Sequence, residues 1–399
     1  MGFGWSALDR AREFLRDLSS ERLVASLLPG TCEVSAPDED RQKAESFSRE
    51  IRALPRAERE KRITLAPASF LWALSERLCR ESRALCTKDT REAEAAVELA
   101  LLAAGRVEGS EGWRAKVRGF VLAHLANVFR VRGDLREADR VFLSAEFLFE
   151  AGEGANPHVL EEGLLPALKA SLRRAERRFD EADFLLALAS EKAQGQEFKV
   201  ELHVARGKLL EERGELEEAV AVLREVEGTS FPGEDGRLGL CVRHNLADYL
   251  SKLGRFEEAD LLLPGVRLLS RRSEELDRVR LRWTEGRVAF GLGRSEEGLG
   301  LLSGVRGEFA CREMWYDTAL VTLELAASYA ELGRAGEVKT LARHLVPIFR
   351  EKGVHREALA ALSLFRQAAE NETLTVELTR LVLDYLRKAR YDPELRFSV

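Results

Sequence analysis

Residues 254–259 read Gly-Arg-Phe-Glu-Glu-Ala, and this phrase decides the fold. Its glycine follows an apolar-periodic run (Leu246, Ala247 and Leu250) and is the residue type that ends a helix in the left-handed conformation. The phenylalanine tucks under the resulting turn. The acidic pair then opens a second helix, where it meets the positive end of that helix's dipole. The closing alanine is small enough to let two helices approach closely. Six residues thus specify a helical hairpin.

The phrase recurs along the chain. Gly133-Asp-Leu-Arg-Glu-Ala138, Arg177-Arg-Phe-Asp-Glu-Ala182, Gly214-Glu-Leu-Glu-Glu-Ala219 and Gly293-Arg-Ser-Glu-Glu-Gly298 are copies, and Gly333-Arg-Ala-Gly-Glu-Val338 is a weaker one. From Ala138 onward the last positions fall 44, 37, 40, 39 and 40 residues apart (Ala182, Ala219, Ala259, Gly298, Val338). A period near forty without alternating β-branched runs predicts one helical hairpin per repeat. A degenerate hairpin precedes these copies. Residues 68–86 carry Leu71, Leu74 and Leu78 on one stripe, and residues 90–104 face them with Ala93, Val97 and Ala100. Residues 356–369 and 374–390 form a closing pair. The repeat array therefore runs from 67 to 390, about seven hairpins plus the terminal pair, and 391–399 is a tail.

Small and large residues alternate at fixed places in each copy. In the first, Ala126, Phe129, Ala138 and Ala145 stand where the tetratricopeptide repeat has its small, large, small and alanine positions; in the fourth, Ala247, Leu250 and Ala259 match three of these. The chain resembles that family, which implies an all-α, right-handed α-solenoid of TPR-like hairpins. The period exceeds the usual ~34 residues. Val226, Val266 and Val305 replace the last alanine in later copies. Such elongated repeats look like those of bacterial sensor and regulator proteins, where a solenoid reads a peptide or a protein.

The resemblance also implies that the first helix of each hairpin lines a concave binding face. Carried onto this sequence, its ligand-facing positions are Asn127 and Arg130, then Ser171 and Arg174, then Lys208 and Glu211. The fourth copy gives His244, Asn245, Asp248 and Ser251, and the fifth gives Arg280, Trp283, Arg287 and Phe290. The arginines among them suit bidentate contact with carboxylates, and an asparagine can bond an extended backbone. Trp283 and Phe290 would add apolar anchors. The carboxylate clamp of some family members is matched only in part: Val204 and Thr284 stand where it has basic residues.

Residues 1–66 lie outside the repeat. Phe3, Trp5, Leu8, Phe14, Leu15 and Leu18 give an amphipathic helix, extended by Leu23 to Leu28 and stopped at Pro29-Gly30. A polar helix follows over 41–53. The segment reads either as a cap on the first repeat or as a docking helix, and it shows no compact trihelical pattern with a basic recognition helix.

Composition narrows the classes. The 399 residues are 45% hydrophobic and 33% charged, with a net charge of −6, which disfavours broad nucleic-acid binding. The five cysteines are scattered without C-x-x-C spacing, as in a reduced cytosol. No secretory signal or long apolar run appears. The histidines lie in different repeats, so no metal set is expected, and Cys241 with His244 lacks a third orienting residue. Phosphate-loop, metalloprotease and serine-hydrolase signatures are missing. The reading is a cytoplasmic, cofactor-free scaffold binding a protein or peptide, not an enzyme. Its rival is the ligand-sensing half of a transcriptional or signalling regulator.

Overall fold

The computed structural model describes residues 34–86, 88–231, 234, 236–351, 365–366, 368–369 and 375–389. Among them are 17 helices and no strand. The expected amphipathic helix near the start, most of residues 356–369 and the tail lie outside the described residues.

The helices are α1 (Pro37–Arg52), α2 (Arg56–Leu65), α3 (Leu71–Leu85), α4 (Thr90–Ala104), α5 (Glu111–Arg132), α6 (Leu135–Ala151), α7 (Leu164–Ala175) and α8 (Phe179–Lys192). There follow α9 (Gln196–Arg213), α10 (Leu216–Arg224), α11 (Arg237–Lys252), α12 (Phe256–Ser270) and α13 (Glu275–Gly291). The last four are α14 (Ser295–Cys311), α15 (Trp315–Glu331), α16 (Ala335–Glu351) and α17 (Val376–Ala389).

Each copy of the phrase does the same local work. Arg255 N–H reaches back to the Leu250 carbonyl at 2.9 Å, and Gly254 N–H to the Ser251 carbonyl at 3.3 Å. This paired bonding closes the end of a helix around one left-handed residue. Gly254 has φ +77°, and Gly133, Gly214, Gly293 and Gly333 share the conformation. In the second copy Arg177 adopts it at φ +64°, with its guanidinium stacked 4.3 Å from the Phe179 ring. The next helix starts at the third residue of every phrase: Leu135, Phe179, Leu216, Phe256, Ser295 and Ala335. The closing residue is buried in every copy.

The chain divides into two compact units, residues 1–199 and 200–399, with the division inside the first turn of α9. In the first unit α3/α4, α5/α6 and α7/α8 are hairpins, and the leading helices α3, α5 and α7 touch in succession. One core runs through them, including Leu74, Val97, Phe120, Leu125, Phe142 and Leu172. Helices α1 and α2 pack on α3 and α4. Trp72 Nε1 donates to Asp40 at 3.0 Å, and Arg41 Nε donates to Glu76 at 2.8 Å. Arg106 reaches the Ile63 carbonyl at 2.7 Å. Residues 34–66 thus cover the open side of the first hairpin.

In the second unit α11/α12, α13/α14 and α15/α16 are hairpins, preceded by α9 and α10, and α17 packs on α15. Leu210, Leu223, Leu246, Leu250 and Val266 form one cluster; Leu302, Phe309, Leu323 and Leu386 form another. No helix among the described residues is long and apolar enough to cross a membrane.

Candidate ligand-binding face

The side chains that matter project from the leading helices, because a position repeated every hairpin falls in one row when hairpins stack. In the second unit that row is a ladder of alternating charge. Lys252 on α11 pairs with Glu211 of α9 and lies 2.7 Å from Asp248 of its own helix. Arg287 on α13 donates to Asp248 and to the Ser251 hydroxyl, each at 2.8 Å. Its other amino group lies 3.2 Å from Glu324 on α15, which also accepts from Trp283 Nε1 at 2.6 Å. Arg387 on α17 closes the row, 2.7 Å from Glu324. Five helices are joined by six charges of alternating sign.

Burial sharpens the ladder's electrostatics. Removal from water favours the neutral form of Asp248, yet Lys252 and Arg287 outweigh it and hold the carboxyl far below its usual range. Glu324 is likewise desolvated and held low by Arg287 and Arg387. Burial works against the charge of Lys252 and of Arg287, and their carboxylate partners raise both above their ordinary values. His244 is pushed down by burial; its Nε2 lies 3.5 Å from the Thr284 hydroxyl.

The corresponding row of the first unit is built differently. Arg130 on α5 donates through Nε and Nη2 to Asn127 Oδ1, at 3.1 and 2.9 Å. Asn127 is 4% exposed, and its amide nitrogen lies 3.7 Å from Cys86 Sγ, at the end of α3. Among the described residues no carboxylate lies within ion-pair distance of Arg130. Burial and the neighbouring Arg174 of α7 push its pKa down to about 10. Arg83 of α3 adds positive potential at Cys86 and at His124. Both ring nitrogens of His124 are buried without a hydrogen-bond partner among the described residues, beside the Phe120 ring at 5.0 Å. Burial, reinforced by Arg83, pushes this imidazole down to about 3.

The sequence-derived residues therefore fall into groups. Asn127, Arg130 and Arg174 come together in the first unit. His244, Asp248, Trp283 and Arg287 come together in the second, engaged with one another and with Glu324. Lys208 and Arg280 are exposed. Asn245 has a buried amide nitrogen with no hydrogen-bond partner among the described residues. Phe290 packs partly buried against the core of the second unit. Val204 and Thr284 are themselves buried, so the partial clamp match stays incomplete. Sequence reasoning missed Glu324, Arg387, Cys86 and Arg83. Lys252, outside the expected ligand-facing positions, joins two leading helices by its bond to Glu211. Glu324 stands one repeat from Thr284 rather than from Arg287, so repeat spacing gave no signal for it.

Compared by sequence, the chain matches no family model and no curated protein. Compared by structure, it superposes on a crystal structure of a Rap protein complexed with competence and sporulation factor, with a TM-score of 0.51. The fold is similar to that of a Rap protein. The likeness covers 79% of this chain and 88% of the Rap chain at 14% sequence identity. It supports a TPR-like helical repeat fold, because at this identity the shared feature is backbone architecture rather than side chains. Among the described residues no group of three or more His, Cys, Asp or Glu could hold a metal ion.

Proposed function

We propose that this chain is a binding protein whose leading-helix row takes an extended peptide or a segment of a partner protein. One observation carries the reading: among the described residues a polar group on that row is left over after the fold is satisfied. The buried amide nitrogen of Asn245 has no acceptor among the described residues. An unmet buried donor costs about 1–3 kcal/mol, and a ligand's backbone carbonyl would recover it. The likeness to a Rap protein crystallised with a bound factor supports the same reading. In this reading the protein is cytoplasmic, performs no chemistry of its own and needs no cofactor, nucleic acid or membrane.

The test is affinity capture on the full chain from a lysate of the source organism, with bound species identified by mass spectrometry. A stoichiometric peptide or protein should lose at least tenfold in affinity for Asn245→Ala, and for Lys208→Glu combined with Arg280→Glu. Both latter residues are exposed, so the fold should survive. Unchanged affinity in both folded variants would remove the second unit's row from the reading. A second reading, the ligand-sensing part of a signalling regulator, is favoured by the same Rap likeness. It predicts that a captured signalling protein is released when peptide is added.

A further inference from the structure

We infer that the outer face of α12 is the contact surface for a second copy of this chain, which lies on it antiparallel about a two-fold axis. A stripe of side chains that the fold leaves unused points there. Leu261 and Leu268 are 81% and 62% exposed, and Pro264 and Gly265 between them are exposed too. At about 3.6 residues per turn these four share one face with Glu257, Arg271 and Arg272. Helix α12 thus carries an acidic start, an apolar centre and a basic end along a single line.

The pattern is symmetric about the point between Pro264 and Gly265. Leu261 stands three residues before Pro264 and Leu268 three after Gly265; Glu257 and Arg272 stand seven to either side. An antiparallel copy therefore sets Leu261 on Leu268 of the second copy, and Glu257 on its Arg272, at both ends. Such a self-matching patch is what an isologous interface requires. Charge separates this stripe from its flanks. On the flanks, Asp260 meets Arg294 at 3.1 Å, Glu258 meets Arg255 at 2.6 Å, and Arg267 bonds Glu285. Among the described residues Glu257, Arg271 and Arg272 form no ion pair. A Cβ on Gly265 would meet only Arg243 Cδ at 3.9 Å, so nothing inside the chain requires glycine there. A second helix crossing at that point gains from the missing side chain. The first unit's α6 also exposes Leu143 and Phe147, yet its Arg140 is already paired with Glu137 at 3.0 Å. One helix pair of about 22 Å is smaller than a permanent interface, so the association is reversible and concentration-dependent.

Sedimentation velocity on the full chain, from roughly 1 to 200 µM, tests this. The parent should pass from monomer to dimer across that range, and Leu261→Glu combined with Leu268→Glu should remain monomeric. Both leucines are exposed, so that variant should keep the parent's helicity and melting temperature. Leu143→Glu combined with Phe147→Glu is the control and should dimerise like the parent. Charge decides the direction of the pairing. Glu257→Arg alone and Arg272→Glu alone should each weaken the dimer about tenfold, by setting like charges opposite one another. An equimolar mixture of those two variants should restore the parent's affinity, because both end contacts are then complementary. A parent that stays monomeric, a dimer that survives both leucine changes, or a mixture no stronger than either variant would overturn the pairing. So would a monomeric parent that captures another protein through Leu261 and Leu268, which would give the face to a different partner. Lys208, Asn245 and Arg280 lie on α9, α11 and α13, so every outcome leaves the peptide reading to its own test.

Discussion

At the residue scale, the left-handed position of each phrase shows how one dihedral angle governs tolerance. Gly254 at φ +77° has no side chain to collide with its own carbonyl. Gly254→Ala is expected to cost roughly 1–2 kcal/mol, measured by urea unfolding, the usual penalty for an L-residue in that region. Arg177 already bears that penalty and recovers part of it by stacking on Phe179. Arg177→Gly should therefore change stability by less than about 1 kcal/mol, because relief of strain offsets the lost stacking. His124 makes the pH-dependent prediction. Its folded pKa of about 3 lies below the ordinary 6.5, so between those values the unfolded chain binds the extra proton. Stability must then fall as pH falls. The first unit should lose about 2 kcal/mol between pH 7 and pH 5, from a depression of about 1.4 kcal/mol per unit. His124→Phe should flatten that slope in urea titrations at the two pH values.

At the element scale, the second unit's helices are joined by charge as well as by apolar contact. Removing Arg287 leaves Asp248 and Glu324 desolvated and facing each other across the gap. Arg287→Met is therefore expected to cost about 3–5 kcal/mol, far more than an exposed pair would. Asp248 and Glu324 are held low, so their contribution is full above the ordinary carboxylate range near pH 4 and is lost on acidification below it. Acid titration followed by Trp283 fluorescence should show the second unit loosening there. Helix packing makes another prediction at the same scale. Gly298 closes its phrase where four other copies have alanine, and a Cβ there would stand 2.8 Å from the Gly286 carbonyl and the Phe290 backbone. Helices α13 and α14 are thus closer than a methyl allows. Gly298→Ala should destabilise by about 1–3 kcal/mol although alanine is the better helix former.

At the scale of the whole molecule, the two units use one repeat for different ends. The second has turned its row into an internal ladder, and in the first Arg130 meets no carboxylate among the described residues. A captured peptide should slow amide exchange on α9, α11 and α13, which carry Lys208, Asn245 and Arg280, with protection that weakens in Asn245→Ala. Protection confined to α3, α5 and α7 would place the ligand on the first unit's row instead. Legibility in the sequence followed the same division. The phrase around Gly254 and its copies located six second-helix starts, because each start is set by bonds within six residues. The end of the first hairpin's helix at Leu85 and the run Thr90–Ala104 were equally legible from apolar spacing. The polar helix expected over 41–53 begins at Pro37, since a proline at a helix start gives no apolar signal. The partnership of Arg287 with Glu324 was not legible, because it joins residues 37 apart through the stacking of α13 on α15.

The sequence by itself determined the helical hairpin, its period and its all-α class. These rest on local physics: a left-handed cap, an acidic first turn and small residues at contact points. Only the tertiary structure decided which charges on the leading helices are balanced. Asn127, Arg130, Asp248 and Arg287 look alike in the sequence as polar residues at inner positions. Whether such a charge is spent on the fold or left for a ligand depends on what the neighbouring hairpin presents to it, and that is a property of packing between repeats.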